Sequence, residues 1–266
     1  MNWPDEKDTR GIVSPSLAAS RFTLDRFDPA PPLDRFVGRF WKTTWNLDEP
    51  FVQSIVTFPV VNLVFQADGS AVVSGVQLEN DERCLEGSGW ALGVMFRVGG
   101  FSPFSSAPMA DLVGERIPAA ELFGPSVGEL AAAVSSAADS AQQIALVSTF
   151  LAARVPDHPT PGEQLSDWVE RAVSHEPPVT KVGDLALLAA CSTRTLQRLF
   201  REHVGVGAKL VLDRHRIQAA GEAARKPVSS WLDVAADLGY ADQAHLTAAM
   251  TDAFGQPPAR YARQES

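Results

Sequence analysis

The stretch "GYADQAHLTAAMTDAFGQPPARY", Gly239 to Tyr261, has the layout of a capped helix and the turn that buttresses it. Gly239 breaks a preceding helix and permits a left-handed turn. Asp242 carries a side chain suited to cap the next helix. Leu246, Met250 and Phe254 recur at helical spacing and line one buried side. Yet Asp242 to Phe254 contains no Lys or Arg and carries Asp242 and Asp252. A helix expected to lie among phosphates has been stripped of cations, and the explanation has to come from the surrounding chain.

Just upstream, Ser230 and Asp233 stand at capping-box spacing, with Asp in place of the usual Glu, and Val234 and Leu238 face inward. A second unit of the same kind precedes it in "VTKVGDLALLAACSTRTLQRLFREHVG", residues 179–205. There Leu185 and Leu188 give a short apolar helix, Ala190-Cys191 a tight turn, and Ser192 an N-cap. Leu196, Leu199 and Phe200 face inward. Arg194, Arg198 and Arg201 face away at spacings of four and three, so that three cations can reach phosphates and base edges together. Between the caps, "GAKLVLDRHRIQAAGEAARK" (207–226) reads as a long linking helix. Any helical hairpin can mimic one such unit; two in tandem, each capped and joined by a helix, carry more weight.

These residues resemble the DNA-binding domain of the AraC/XylS family of bacterial transcription regulators. The likeness lies in "STRTLQRLFREHVG", in the "RHRIQAA" of the linking helix and in "DVAADLGYADQAHLTAAMTDAFGQPPARYAR". It implies that Arg194 and Arg198 meet the major groove, with Arg201 further along as a phosphate contact. Thr195 and Gln197 are candidate polar readers. In the second helix Ala244 and Ala248 take groove-facing positions. The family often carries a longer polar or basic residue at the second of these, whereas an alanine can only touch a thymine methyl. Gln243, His245 and Thr247 remain as polar candidates, His245 with a capping or solvated role as its alternative. The bland reading of the three arginines is a solvated face. Affinity is therefore expected to rest on the first helix.

The chain has 266 residues, 45% apolar and 21% charged, enough for two soluble domains with real cores. No apolar run approaches the ~20 residues of a membrane-spanning helix. The opening "MNWPDEKDTR" is polar and acidic, unlike an export signal. Cys84 and Cys191 are the only cysteines, which makes a reducing cytoplasm the expected location. Net charge is −9, with −8 in residues 1–162 and −1 in residues 163–266. Such a chain is a poor non-specific polyanion binder and needs a local basic face to hold DNA.

Residues 155–163, "VPDHPTPGE", hold three prolines and read as a linker. The expected division is 1–154 as a β-barrel sensor and dimerisation domain, 155–163 as linker and 164–266 as the DNA-binding domain. In the first part, "FVQSIVTF" (51–58) and "WALGVMFRV" (90–98) read as strands, and "VVNLVFQ" (60–66) with "AVVSGVQ" (71–77) as a hairpin turned by "ADGS". Residues 126–138 and 140–154 read as helices. Ile144, Val147, Phe150 and Leu151 form a stripe that either packs on its own barrel or serves a dimer. The stretches "FRVGGFSPF" (96–104) and "ELFG" (121–124) resemble the sensor half of an AraC-like subgroup, which implies a small cupin-like barrel followed by helices. The fold class is then α+β: a small N-terminal β-barrel plus helices, and an all-α C-terminal domain with two helix-turn-helix units.

None of the five histidines lies in residues 1–157, so a catalytic cupin would lack its metal ligands there. Cys84 is read as a half-buried small hydrophobe, with a sensor thiol as the alternative. No Walker loop, nucleophile elbow or paired-carboxylate motif appears. No catalytic residue, metal site or cofactor is expected. Trp90, Phe96, Phe101 and Phe104 are candidate walls of a small-molecule site, with core packing as the alternative. The expected partners are double-stranded promoter DNA, a small-molecule effector, RNA polymerase and a second copy of the chain. The rival reading is a small-molecule-binding barrel with weak or vestigial DNA binding.

Overall fold

The computed structural model describes residues 11–175 and 177–265; the acidic opening decapeptide lies outside them. The architecture is α+β, with a sheet in the N-terminal part and helices to the C-terminus. The strands are β1 (Phe22–Phe27), β2 (Val37–Asn46), β3 (Phe51–Ile55), β4 (Asn62–Gln66), β5 (Ala71–Ser74), β6 (Asp81–Leu85), β7 (Ser88–Phe96) and β8 (Arg116–Pro118). Six form one antiparallel sheet in the order β1-β2-β7-β4-β5-β8, with β1 and β8 at its edges; β3 and β6 pair as a separate ribbon. The expected hairpin is β4–β5. At its turn Gly69 takes a φ of 81° and Asp68 Oδ1 accepts the Ser70 N–H at 2.9 Å. The expected strand over 51–58 stops at Ile55, because Val56 turns away into a different core.

The helices are α1 (Pro15–Ala18), α2 (Ala120–Phe123), α3 (Ser126–Ser136), α4 (Ser140–Ala152), α5 (Pro161–Val173), α6 (Val182–Leu188), α7 (Thr193–His203), α8 (Ala208–Ala224), α9 (Trp231–Asp237), α10 (Gln243–Phe254) and α11 (Pro258–Glu265). α3 and α4 cover one face of the sheet. Strand alternation sends Leu92, Val94 and Phe96 toward them, and all three are buried. The α4 stripe is turned inward as well: Val147 and Leu151 are fully buried, and the Phe150 ring stands 5.7 Å from that of Phe123.

The proline-rich segment before α5 lies against the sheet domain. Pro161 opens α5, where its missing N–H costs nothing. Thr160 and Glu163 form a full capping box. Glu163 also accepts Arg35 Nε at 2.7 Å, and Arg35 reaches the carbonyls of Pro156 and His158 at 3.3 Å. Burial alone would raise the Glu163 carboxyl, but the hydrogen bonds from Arg35 and Thr160 outweigh it and hold it below the usual range. One apolar core runs from the sheet through α3 and α4 into α5, α6, α7 and the first turns of α8; a second, smaller core belongs to the rest of α8 and α9–α11.

Candidate nucleic-acid interface and an internal cavity

Both helix-turn-helix units are built by the signals that mark them in sequence. In the first, Cys191 N–H bonds back to the Ala186 carbonyl at 3.0 Å, which places Ala190 at a φ of 51°. In the second, Tyr240 N–H bonds to the Ala235 carbonyl at 2.8 Å, and Gly239 takes the matching position at a φ of 69°. Ser192 Oγ accepts the Thr195 N–H at 3.1 Å, Ser230 Oγ the Asp233 N–H at 3.2 Å, and Asp242 Oδ1 the His245 N–H at 2.7 Å. Arg216 of α8 locks the second turn: it donates to the carbonyls of Leu238 and Gly239, both at 3.1 Å, and lies 4.2 Å from the Tyr240 ring centre.

On α7, Arg194, Gln197, Arg198 and Arg201 are exposed on one side, while Leu196 and Phe200 are fully buried on the other. Arg198 Nη1 lies 2.6 Å from Glu202 Oε2, an exposed pair one turn apart that a phosphate can compete with. Thr195 is half-buried and its hydroxyl lies 2.9 Å from Ser192 Oγ, so it belongs to the cap. On α10, Gln243, Ala244, His245 and Ala248 are exposed. The Thr247 hydroxyl is spent on the Gln243 carbonyl at 2.8 Å. The His245 ring packs edge-on to Tyr240, centres 5.2 Å apart, and accepts the Ala241 N–H at 3.4 Å. The capping alternative for His245 therefore has direct contacts behind it. Arg260 and Arg263 on α11 are exposed near α10; their place after "GQPP" is the sequence signal that they belong to this unit.

The two units meet the sheet domain differently. The end of α7 is pressed onto the turn Met109–Leu112: a Cβ at Gly205 would stand 2.5 Å from the Met109 carbonyl oxygen. His203 Nδ1 lies 3.1 Å from Ser102 Oγ, and burial pushes its imidazole below the ordinary range. The second unit instead touches three loops and the short helix α1, whose Ser16 donates its N–H and its hydroxyl to Glu265, both at 2.9 Å. Buried Gln218 of α8 donates to the Val56 carbonyl at 2.7 Å and accepts the Gly11 N–H at 3.1 Å. Val56 itself is fully buried in the core of α8–α11. Asn80 donates to the Ala253 carbonyl at 2.6 Å, and Arg214 donates to the Leu78 carbonyl.

A cavity of about 650 Å³ lies between the six-stranded sheet and the β3–β6 ribbon. Trp41 and Trp45 of β2 form part of its wall. They pair across the strands with Gly93 and Gly89 of β7. A Cβ at Gly93 would come 2.0 Å from the Trp41 ring, and one at Gly89 2.6 Å from the Trp45 ring, so only glycine leaves room for the indoles. Arg26, Arg39, Arg83 and Arg116 also line the cavity, with Asp81 as the only acid among its described lining residues. None of the aromatic candidates lines it. Phe96, Phe101 and Phe104 are buried together, ring centres 4.9 to 6.5 Å apart, and Trp90 faces Lys42 on the α4 side of the sheet. Each falls on the helix side of its strand or loop. The alternation of "RFWKTTWN" with glycines every fourth residue of "GWALG" was the available sequence signal for the true lining. Cys84, expected half-buried, is exposed instead, on the ribbon; its hydrogen bond to Glu86 at 3.4 Å pushes the thiol up.

With this geometry in place, kinship is clear for the C-terminal part. Residues 185–264 match the family described as "Helix-turn-helix domain", and residues 25–118 match "Domain of unknown function (DUF6597)". A "Putative AraC-like transcription regulator" of Streptomyces lividans is 35% identical over 80 residues, 30% of this chain and 26% of that protein. The chain thus matches about a quarter of that relative's length. The AdpA DNA-binding domain, solved with a target DNA, is 27% identical and covers 38% of this chain and 90% of its own, with a TM-score of 0.35. ToxT from Vibrio cholerae is 9% identical and covers 92% of this chain and 98% of its own, with a TM-score of 0.41. Residues 185–264 thus match a helix-turn-helix domain, and an 80-residue stretch of the chain is similar to the AraC-like relative. No helix among the described residues is long and apolar enough to cross a membrane.

Proposed function

We propose that the chain is a sequence-specific, non-catalytic DNA-binding transcription regulator whose sheet domain holds an effector. The observation that carries this reading is the exposed row Arg194, Arg198 and Arg201 on a capped helix inside an AraC-type domain. Arg194 and Arg198 read base edges, Arg201 neutralises a phosphate, and Gln197 adds a polar contact. Gln243, Ala244, His245 and Thr247 present a neutral second surface one groove segment away. The partner is double-stranded promoter DNA, met in the cytoplasm, with RNA polymerase beside it and a second copy of the chain extending the reading span. The sheet and ribbon act as one cupin-like barrel around the cavity, residues 1–154, with 155–163 as the connection to 164–266.

Effector control has a physical route. Ile12, Ile55, Thr57 and Gln77 line the cavity, and adjoining Gly11, Val56 and Leu78 touch α8 or its neighbours. A molecule in the cavity would bear on the loops that seat the second unit. A second reading, a ligand-binding protein with feeble DNA affinity, is favoured by the absence of Lys and Arg from α10. A gel shift on the DNA upstream of its own gene, with salt titration, separates the two. Arg198→Ala should cost about 1–3 kcal/mol of specific binding and relax one operator position. Unchanged affinity in that variant would remove α7 as the reading helix.

A further inference from the structure

We infer that α10 selects A·T base pairs through apolar contact with thymine methyl groups, whereas α7 reads by charge. The inference rests on the proposed DNA-binding function and names what its second surface selects. The two helices meet one structural need with opposite chemistry. On α7 the outward residues Arg194, Gln197, Arg198 and Arg201 are long and polar, a set that reaches guanine edges and phosphates. On α10 the outward residues are Ala244, Thr247, Ala248 and Thr251, all exposed except the half-buried Thr247. Spacings of three, four and seven from Ala244 put them on one side of the helix, opposite Leu246, Met250 and Ala253.

Both threonine hydroxyls are committed within the helix. Thr247 Oγ1 donates to the Gln243 carbonyl at 2.8 Å, and Thr251 Oγ1 to the Thr247 carbonyl at 2.7 Å. Neither threonine then has a proton to give a base, and each offers its γ-methyl beside the β-carbons of Ala244 and Ala248. Helix propensity supplies no reason for two threonines on a merely solvated face, which alanine, glutamate or lysine would serve better. The neighbouring acids are engaged elsewhere. Asp242 Oδ1 accepts the His245 N–H at 2.7 Å. Burial pushes the Arg214 guanidinium of α8 down, and nearby Asp252 works against this, so Asp252 has a cation of its own chain beside it.

In the major groove only an A·T pair carries a methyl group, at thymine C5. A G·C pair would set its cytosine amino group against methyl carbons, at a desolvation cost. Gln243, exposed in the first turn, has the paired donor and acceptor that fit adenine N6 and N7. From Ala244 to Thr251 the surface is about 10 Å long, enough for roughly three base pairs. A longer side chain at Ala248 keeps its β-carbon on this surface and reaches past it to a phosphate.

The test uses the full chain and a duplex enriched on it from a random double-stranded pool. The same duplex is made with deoxyuridine for every thymine, which removes the methyl groups and leaves pairing intact. Fluorescence anisotropy gives the affinity of three chains for both duplexes. The first is the wild type. The second, Thr247→Ser with Thr251→Ser, keeps the hydroxyls and drops the methyls. The third, Thr247→Val with Thr251→Val, does the reverse, and melting curves verify folding. Wild type should lose about fourfold or more on the deoxyuridine duplex, the size of one buried methyl group. That penalty should shrink by about fourfold in the serine pair, and the valine pair should restore it. A wild-type chain that binds both duplexes equally overturns the inference without any variant. An equal penalty in wild type and serine pair also overturns it. So does a valine pair that loses the penalty with the serine pair, since the hydroxyls would then be the readers. Each of these outcomes leaves a sequence-specific DNA-binding protein standing. A pool from which no sequence is enriched overturns the regulator reading itself, and this inference with it.

Discussion

The second helices of the two helix-turn-helix units share a design and differ in what they rest on. α7 carries three outward arginines, and its buried side, Leu196 and Phe200, belongs to the same core as the sheet and α3–α5. α10 carries no cation, and its buried side, Leu246, Met250 and Phe254, belongs to the separate core of α8–α11, which takes Val56 from the sheet domain and has Val13 packed against it. The first unit is thus fastened to the body of the molecule and carries the exposed cations. The second is neutral to acidic and is held by loops that also wall the cavity. The difference teaches that helix-turn-helix geometry and electrostatic affinity are separable. Caps, apolar spacing and a left-handed turn make the shape, and cations are added where binding strength is wanted.

The largest effects should come from breaking the two cores. Phe200→Ala should cost about 3–5 kcal/mol and lower the melting temperature of the whole chain, because its cavity opens in the shared core. Met250→Ala should cost about 2–5 kcal/mol, with the damage confined to the second unit. Hydrogen exchange reads the distinction: amides of residues 231–265 should exchange faster while those of β7 and α7 keep their protection. If Met250→Ala exposes the sheet amides as much as Phe200→Ala does, the two cores open as one and the contrast fails.

A middle-sized effect should come from giving α10 what it lacks. Ala248 is exposed, so Ala248→Arg should leave folding unchanged. Operator binding should tighten several-fold and its salt slope steepen by up to about one unit if a phosphate is newly met. The paired change Gln243→Ala with Thr247→Ala should leave affinity within about tenfold, since each uncharged contact is worth little beside the arginines. A collapse of binding there would show that neutral hydrogen bonds in α10 do the reading.

The smallest effect concerns pH at the seat of α7. His203 lies against Ser102, near Glu202 and Arg198, and burial depresses its pKa. With the folded value below the unfolded one, its contribution is complete above about pH 6.5 and is lost as pH falls through the folded value. Stability measured by urea midpoint should therefore decline slightly below that pH, and His203→Gln should flatten this part of the profile. An unchanged profile in the variant would remove His203 from the account.

The C-terminal half was legible because local rules built it. Ser192, Ser230, Asp242 and Gly239 each act within five residues of their own position, and pattern alone finds such signals. The sheet was less legible. β2 alternates Arg39, Trp41, Thr43 and Trp45 toward the cavity with Phe40, Lys42 and Thr44 toward the helices. Both sets mix apolar and polar residues, so neither announces itself as the core side. The same ambiguity drew attention to Phe96, Phe101 and Phe104, whose clustering in sequence reflects packing under α2 and α4 rather than a wall. Val56 could not be placed from sequence either, since Gln218 and the buried residues that share its core lie more than 150 residues away.

That residue has a consequence for how such chains can be recombined. Val56 sits inside the C-terminal core and its carbonyl takes Gln218. Grafting the C-terminal half of this chain onto another N-terminal half therefore transfers an incomplete core unless the acceptor carries a matching side chain at the corresponding loop. The natural unit of exchange is not bounded by the proline-rich stretch at 155–163. It includes Val56, with Val13 packed beside it, from the N-terminal part of the chain, and a chimera that restores both should be the one that accumulates as soluble protein.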